Sequence, residues 1–170
     1  WLTHGTLRMQ SIAFSEITVT EINPHATFAI GDIEVQPYLV PHDAVEPVQY
    51  VFGDGARRLG VLTDTGHVTP HIEAILNGCH ALVLECNHDA ELLAASSYPL
   101  SLKRRISGRL GHLSNEAAAS LLPQIDVSRL QHLVAAHLSE QNNQPELAVA
   151  ALMAVLGCAE KWIGVATQES

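Results

Sequence analysis

The sequence predicts a layered α/β domain, and three observations support this fold class. The first part of the chain contains short apolar and β-branched runs separated by glycine-containing turns, which is typical of antiparallel hairpins. From residue 64 onward, helical segments alternate with strand-like runs, which is the order of parallel strands joined by helices. Hydrophobic residues make up 47% of the 170 residues, so the chain can bury a core without disulfides. We therefore expect residues 1–170 to belong to one domain.

The strands predicted before residue 64 come from runs rich in β-branched, aromatic or apolar side chains. They cover residues 17–20, 27–30, 33–40, 48–52 and 59–62. Glycine marks two hairpin turns between them, at residues 31–32 and at residues 53–55. The run at residues 59–62, Leu-Gly-Val-Leu, has no polar side chain, which favours a strand buried on both faces.

Helix signals dominate the second half of the chain. Thr69, followed by proline, predicts a helix start, and Gly78 predicts the end of that helix. The later elements are helices at 90–95, 99–107, 114–122 and 143–156, and strands at 81–85, 130–135 and 162–166. Ser114 is the predicted N-cap of the third of these helices. Asn143, with Glu146 three positions later, matches a capping box for the fourth.

Charge restricts the functions that the chain can have. The formal net charge of −9 argues against a protein that coats nucleic acid with its whole surface. Four of the nine basic residues nevertheless lie within seven positions: Lys103, Arg104, Arg105 and Arg109. Such a cluster can hold a phosphate backbone locally, or it can be a solvated helix face. Both interpretations stay open from composition alone.

The cysteines bear on the cellular location. Cys79, Cys86 and Cys158 contain no Cys-x-x-Cys pair, so they predict neither a disulfide framework nor a zinc finger. This pattern favours a reducing, cytoplasmic location. The sequence has neither a signal peptide nor an apolar run of membrane length, so we expect no membrane among its partners.

Polar side chains follow four of the predicted strands, at the point where each strand ends. They are His42, Asp64, His88 and His137. Because the carboxyl ends of neighbouring strands meet at one edge of a sheet, these side chains can converge. Imidazole nitrogens with a carboxylate suit zinc, manganese or iron, and a bound ion lowers the pKa of its water to about 7. The alternative is a local role for each residue; Asp64, for example, could cap the turn that follows it.

Five segments resemble, in order and spacing, the metallo-β-lactamase-fold hydrolases. They are VPHDAVEPV, LTDTGHV, VLECNHD, GHLSNE and AHLSEQNN, which begin at residues 40, 62, 83, 111 and 136. Within that family they are most similar to the bacterial YycJ/WalJ-type branch of DNA exonucleases. The similarity covers nearly the whole chain, up to residue 166. It implies a metallo-β-lactamase-like αββα sandwich that is truncated at its N-terminal side.

The resemblance also implies roles for individual residues. His42 matches a ligand of the first of two metals, Asp64 the carboxylate that bridges both, and His137 a ligand of the second. Two such ions clamp the attacking and leaving oxygens of a phosphodiester. His88 and His112 match residues near the pocket, so Asp64, His88 and His112 are the catalytic candidates. For His112, a structural role in the loop before a helix stays an alternative.

One part of the family pattern is missing. The signature HxHxDH, which supplies the other metal ligands, does not occur in these residues. By the resemblance it would precede Trp1, so we expect this chain to be the C-terminal portion of a longer protein. With ligands from two half-sites only, the chain alone is expected to bind metal weakly or not at all and to lack activity. The missing covering elements also predict exposed apolar surface and self-association as a homodimer.

The sequence therefore predicts a metal-dependent hydrolase, a two-metal phosphodiesterase or DNA exonuclease in its full-length form. Zinc is the expected cation, with manganese as the alternative. Lys103, Arg104 and Arg105 are the expected contacts to the DNA backbone. Two other functions stay open: hydrolysis of a small ester, thioester or lactam on the same fold, and a non-catalytic remnant without metal.

Overall fold

The structure is a computed structural model that describes residues 1–9, 18–157 and 159–167. Within these residues the chain forms nine β-strands and six α-helices. The strands are β1 (Leu2–Thr3), β2 (Glu21–Ile22), β3 (Phe28–Ile30), β4 (Ile33–Leu39), β5 (Val48–Gly53), β6 (Arg58–Leu62), β7 (Ala81–Glu85), β8 (His132–Ala136) and β9 (Ile163–Val165). The helices are α1 (His4–Met9), α2 (Pro70–Leu76), α3 (Ala90–Ala95), α4 (Leu100–Ile106), α5 (Asn115–Leu121) and α6 (Pro145–Leu156). Short 3-10 turns cover Leu122–Gln124 and Glu160–Trp162.

Seven strands form the main sheet, in the order β3-β4-β5-β6-β7-β8-β9. Neighbours from β3 to β6 are antiparallel, whereas neighbours from β6 to β9 are parallel. Strands β1 and β2 form a separate two-stranded parallel sheet. The mixed sheet confirms the predicted α/β class, with hairpins in the first half and helix-strand alternation in the second.

The core lies between one face of the main sheet and the helices α2, α5 and α6. Leu62, Leu82 and Leu133 of the parallel strands are almost fully buried, and Ile72 and Leu152 of the helices belong to the same apolar cluster. Burying each such side chain contributes about 1.5–3 kcal/mol. The packing therefore holds the parallel strands rigidly. None of the described helices combines the length and apolarity that crossing a bilayer requires.

The predicted N-caps of α2 and α5 are confirmed, since the side chains of Thr69 and Ser114 accept hydrogen bonds from the first helical turns. The strand predicted at residues 17–20 is wrong over residues 18–20, where the backbone has no strand structure, and residue 17 lies outside the described part of the chain. The short strand β2 begins at Glu21 instead, because that is where the chain pairs with β1.

The capping box predicted at Asn143 is also wrong. The N-cap of α6 is Gln144, whose side chain makes no capping bond. The side-chain oxygen of the buried Asn143 instead accepts from Asn115 Nδ2 and from the Gln144 N–H, each at 2.9 Å. The NH2 group of Asn143 donates to the Cys86 carbonyl at 2.6 Å. These contacts occupy the side chain that a capping box would need.

The parallel strands bring their carboxyl ends together. The registers of β6 with β7 and of β7 with β8 place the last residues of the three strands side by side. Asp64 follows β6 by two residues, Glu85 ends β7, and His137 directly follows β8. These three side chains therefore start from one edge of the sheet.

Candidate metal and catalytic site

A cleft at this sheet edge is lined by side chains from separate parts of the chain. It encloses about 350 Å³, and its walls include His42, Asp43, Asp64, Arg105, His112 and His137. The loops that carry these residues approach one another closely. A Cβ atom added to Gly111 would lie 2.1 Å from the Ile106 carbonyl oxygen, so only glycine allows the loop before α5 to pass α4.

Asp64 lies among three imidazoles. Its Oδ1 atom is 3.7 Å from His137 Nε2 and 3.9 Å from His42 Nε2. His112 Nδ1 lies 4.0 Å from the same oxygen. The centroid of the His112 ring is 5.1 Å from that of His42 and 5.2 Å from that of His137. The structure thus brings together His42, Asp64 and His137, the three predicted ligands, and places the catalytic candidate His112 between the two imidazoles.

Glu85 orients two of these imidazoles from below the cleft. Its side chain is fully buried, and its Oε1 atom accepts hydrogen bonds from His112 Nδ1 and His137 Nδ1, each at 2.8 Å. Its Oε2 atom accepts from the backbone N–H groups of Thr65 at 3.1 Å and Leu113 at 3.2 Å. Four donors therefore use the lone pairs of this one carboxylate.

The hydrogen bonds keep Glu85 ionised despite its burial. Burial raises the pKa of Glu85, but the bonds from His112, His137 and the Thr65 backbone outweigh it and lower the pKa to about 2. In turn, the bond to Glu85 raises the pKa of His137 above its usual value, against the opposing effect of burial. An ionised carboxylate can only accept, so Nδ1 of both rings carries hydrogen and the Nε2 atoms remain for other partners.

His42 is oriented in the same sense by a backbone carbonyl. Its Nδ1 atom lies 3.1 Å from the Gly111 carbonyl oxygen, which can only accept a hydrogen bond. The Nδ1 atom of His42 therefore carries hydrogen, so in the neutral ring Nε2 has the lone pair. This Nε2 atom lies 3.5 Å from Asp43 Oδ1 and 3.9 Å from Asp64 Oδ1. A neutral imidazole nitrogen with a lone pair is what a metal ion requires.

Two site residues adopt a backbone conformation that is uncommon outside glycine. Asp64 has a φ of 53° and His137 has a φ of 57°, which places both in the left-handed region. Such a conformation costs about 1–3 kcal/mol per residue and persists only where the surroundings impose it. Both strained residues stand directly beyond the strands β6 and β8, where the chain turns away from the sheet.

The donor set indicates which residues can hold a cation. Ligand-capable atoms of Asp64, Glu85, His112 and His137 lie within 4.8 Å of one another. We assign Glu85 an orienting role, because its oxygens are already occupied by four donors. Asp64, His112 and His137 remain in this group, and His42 is not part of it, although its Nε2 atom lies 3.9 Å from Asp64 Oδ1. Carboxylate and imidazole donors of this kind fit a divalent ion such as zinc or manganese.

The structure does not bring His88 to the lining of the cleft. Only 3% of the His88 surface is exposed, and the residue is not among those that line the cleft. Burial lowers the pKa of His88, and its Nδ1 atom has no hydrogen-bond partner among the described residues. The catalytic role of His88 stays a prediction, without support from this placement.

The basic cluster is only partly in the cleft. Arg105 lines it, and its Nε atom donates to Asp43 Oδ2 at 2.6 Å, a bond that lowers the pKa of Asp43. Lys103 instead donates from Nζ to the Ala94 carbonyl at 2.6 Å. Arg104 is exposed on the same helix but is not among the cleft residues. The predicted triad is therefore split, because consecutive helical residues point about 100° apart.

Glu85 is the site residue that sequence reasoning missed. It ends the apolar run Ala-Leu-Val-Leu-Glu, which was interpreted only as a buried strand. The available signal was the same one that identified Asp64, namely a carboxylate at the carboxyl end of an apolar strand. A buried carboxylate is uncommon without partners, so this position could have been singled out.

The sequence matches a family model described as "Beta-lactamase superfamily domain" over residues 2–137. Exodeoxyribonuclease YycJ of Bacillus anthracis is 43% identical over 135 residues, which cover 79% of this chain and 50% of that protein. Exodeoxyribonuclease WalJ of Streptococcus pneumoniae serotype 2 is 36% identical over 151 residues, which cover 89% of this chain and 55% of that protein. The chain thus spans about half the length of the curated relatives it matches.

A crystal structure of a similar fold comes from Bacillus subtilis. The metallo-beta-lactamase fold protein YhfI superposes with a TM-score of 0.64 at 14% identity, over 87% of this chain and 52% of that one. At this identity the likeness bears on the fold alone. It agrees with the layered α/β arrangement described above.

Proposed function

The chain belongs to the metallo-β-lactamase superfamily, and on that premise we propose that it carries part of the active site of a metal-dependent DNA exonuclease. The observation that carries the proposal is the position of Asp64 Oδ1 within 4.0 Å of three imidazoles at the carboxyl edge of the sheet. The choice of DNA as substrate is supported by the names of the relatives YycJ and WalJ. We treat residues 1–170 as part of one domain.

The proposed metal ligands are His42, Asp64 and His137, and the Asp64 carboxylate would be shared between two ions. When bound, the ions would supply a Lewis acid for the phosphate and a hydroxide at neutral pH. Zinc is our first choice because imidazole and carboxylate ligands suit it, and manganese is the second. Three ligands are few for two ions, so we expect residues 1–170 alone to bind metal weakly and to be inactive.

His112 is the proposed general acid. Its ring lies between the two ligand imidazoles and lines the cleft, so a leaving oxygen of a phosphodiester can reach it. Glu85 holds the ring through Nδ1, which leaves Nε2 to carry the proton that the leaving oxygen receives. Glu85 also faces the positive charge that the ring gains when it is protonated.

Arg105 is the proposed contact to the DNA phosphate. It is the one member of the Lys103–Arg105 triad among the described cleft residues, and its planar group can bind Asp43 and a phosphate together. Lys103 and Arg104 would meet the backbone farther from the scissile bond, without sequence preference.

The test is nuclease activity of the whole protein, including any residues beyond this chain, on end-labelled linear DNA. We expect D64N and H137A to lower the rate by about 100-fold or more, because each removes a ligand. H71A is the matched control, since His71 is exposed on α2 and away from the cleft. DNA cleavage that D64N and H137A leave unchanged would contradict the proposal.

A small ester, thioester or lactam is the second candidate substrate. The observation that favours it is the ion pair between Arg105 and Asp43, which reduces the positive charge that the cleft offers a phosphate. Exchange of Lys103, Arg104 and Arg105 for glutamate should abolish DNA cleavage but leave hydrolysis of a neutral ester nearly unchanged. Metal analysis of the whole protein separates both enzymes from a metal-free, non-catalytic remnant.

We also propose a cytoplasmic location and self-association as a homodimer. Cys79 and Cys86 are free and buried, as expected of a protein kept in a reducing compartment, whereas Cys158 lies outside the described residues. Ile30 and Ile33 are 46% and 41% exposed at the hairpin that forms one margin of the main sheet. Light scattering that reports a monomer at all concentrations would contradict the dimer.

A further inference from the structure

The two oxygens of the Asp64 carboxylate have different partners. Oδ1 faces the imidazoles of His42 and His137, whereas Oδ2 accepts a hydrogen bond from the Thr63 hydroxyl at 3.2 Å. Asp64 also holds a left-handed backbone conformation, which its surroundings have to impose. Thr63 contacts Oδ2, whereas the short imidazole distances are to Oδ1.

The direction of the Thr63 hydroxyl is set by Gln49. The Gln49 Nε2 atom lies 2.8 Å from Thr63 Oγ1 and 2.9 Å from the Thr63 carbonyl oxygen. A carbonyl can only accept, so the Gln49 atom that contacts it must be the amide NH2 group. The same NH2 group donates to the hydroxyl oxygen, and the hydroxyl hydrogen is then available for Asp64 Oδ2.

The strand register explains why a side chain is needed here. The antiparallel pairing of β5 with β6 runs from Gly53 opposite Arg58 to Val51 opposite Gly60 and stops there. Beyond that point the two strands have no described backbone pairing, and Gln49 lies on this part of β5. Side chains bond the end of β6 there: the Tyr38 hydroxyl donates to the Val61 carbonyl, and the Gln49 amide donates to Thr63.

We propose that Gln49 is a positioning residue that acts through Thr63 to hold Asp64 Oδ1 toward the metal-binding imidazoles. The proposal rests on the proposed function, because Asp64 is assigned there as a metal ligand. Gln49 itself contacts neither Asp64 nor the three imidazoles through any hydrogen bond of the described residues. Its effect is on the orientation of the carboxylate, and hence on metal affinity.

The test measures zinc affinity of the whole protein by competition with a chelator. T63V keeps the β-branched shape but removes the hydroxyl donor, and Q49M keeps the length but removes the amide. We expect each variant to weaken zinc binding by about 10-fold, within the range known for residues that orient metal ligands. T63S keeps the hydroxyl and should restore near-native affinity.

A double variant distinguishes a relay from two separate effects. If Gln49 acts through Thr63, then Q49M combined with T63V should bind zinc no more weakly than T63V alone. Q36M is the matched control, because Gln36 is half-buried on the adjacent strand β4 and its side chain makes no hydrogen bond within the described residues. Thermal midpoints of all variants, measured without metal, report whether folding is intact, and Q49M is the readout if T63V fails to fold.

Several outcomes would overturn the proposal. The first is a zinc affinity of T63V equal to that of the wild type. The second is a double variant in which the affinity losses of Q49M and T63V multiply. The third is a loss of zinc affinity in Q36M as large as that in Q49M. A protein that binds zinc with the expected pattern but leaves DNA intact would overturn the exonuclease function and support the relay. A whole protein that binds neither zinc nor manganese would overturn both.

Discussion

Replacement of Glu85 by glutamine tests the buried network directly. The carboxylate accepts from two imidazoles on one oxygen and from two backbone N–H groups on the other. The glutamine amide puts an NH2 group in the place of one carboxylate oxygen, where two donors already point. If the NH2 group faces the N–H groups of Thr65 and Leu113, these donors lose their acceptor, because a backbone N–H cannot become an acceptor. If it faces His112 and His137, the rings can move their hydrogens from Nδ1 to Nε2 and accept instead.

The expected loss follows from the number of donors affected. A buried donor without a partner costs about 1–3 kcal/mol, and removal of one member of a buried charged network costs about 3–5 kcal/mol. Because the imidazoles of His112 and His137 can change tautomer, the lower part of this range applies. We expect E85Q to reduce the free energy of unfolding by about 3 kcal/mol, a large share of a typical total.

The assay is urea denaturation at pH 7, with E34Q as the matched control. Glu34 is exposed on β4, and its replacement removes the same charge and should change the free energy of unfolding by less than about 0.5 kcal/mol. An E85Q protein as stable as E34Q would refute the reasoning. It would mean that the four donors do not depend on a charged acceptor.

Three further predictions concern the pH dependence of stability, a close glycine contact and a buried thiol. Glu85 has a pKa of about 2 in the folded protein, against an ordinary value of 4.5, because its hydrogen bonds outweigh burial. The stabilisation that the ionised Glu85 carboxylate gives the folded protein is therefore complete above pH 4.5 and is lost as the pH falls toward 2. The wild-type protein should therefore lose more unfolding free energy than E85Q between about pH 5 and pH 3, and parallel curves would contradict this. G111A should destabilise the fold by about 3 kcal/mol, because the added Cβ would lie 2.1 Å from the Ile106 carbonyl oxygen. In the control variant G53A the nearest contact of the added Cβ is at 3.7 Å, so the loss should be about 1 kcal/mol or less. Equal stability of the two variants would count against the close packing at Gly111. Burial raises the pKa of Cys86 to about 12, so a thiol reagent at pH 7.5 should label Cys86 only after denaturation. Labelling of Cys86 in the native protein, detected by peptide mass spectrometry, would contradict this prediction and show that the thiol is accessible.

The strand ends were predictable because they rest on local patterns. An apolar run interrupted by a polar residue marks the place where a buried strand reaches solvent, and His42, Asp64 and His137 all carry that signal. The parallel neighbours then bring the last two residues to one edge without further information. For this reason the sheet and most of the candidate ligand set followed from the sequence.

What the sequence did not reveal depends on register and on helical phase. The contact between Gln49 and Thr63 exists only because the pairing of β5 with β6 stops before the cleft, which no local pattern indicates. The adjacent basic residues of α4 looked equivalent in sequence, but the helix turns Arg105 into the cleft while Lys103 caps a carbonyl elsewhere. His88 carries the strand-end signal too, yet the packing of the following loop buries it.

Strand β7, which lies between β6 and β8, connects the two left-handed residues of the site. Asp64 and His137 lie beyond β6 and β8, on either side of β7, and both have left-handed backbones. Glu85, at the end of β7, bonds the Thr65 backbone on one side and the His137 ring on the other. One buried carboxylate therefore constrains the chain after β6 and the ring after β8 simultaneously. Because these bonds involve protein groups only, they do not depend on a bound ion, so we expect the binding of an ion at the proposed site to require little reorganisation.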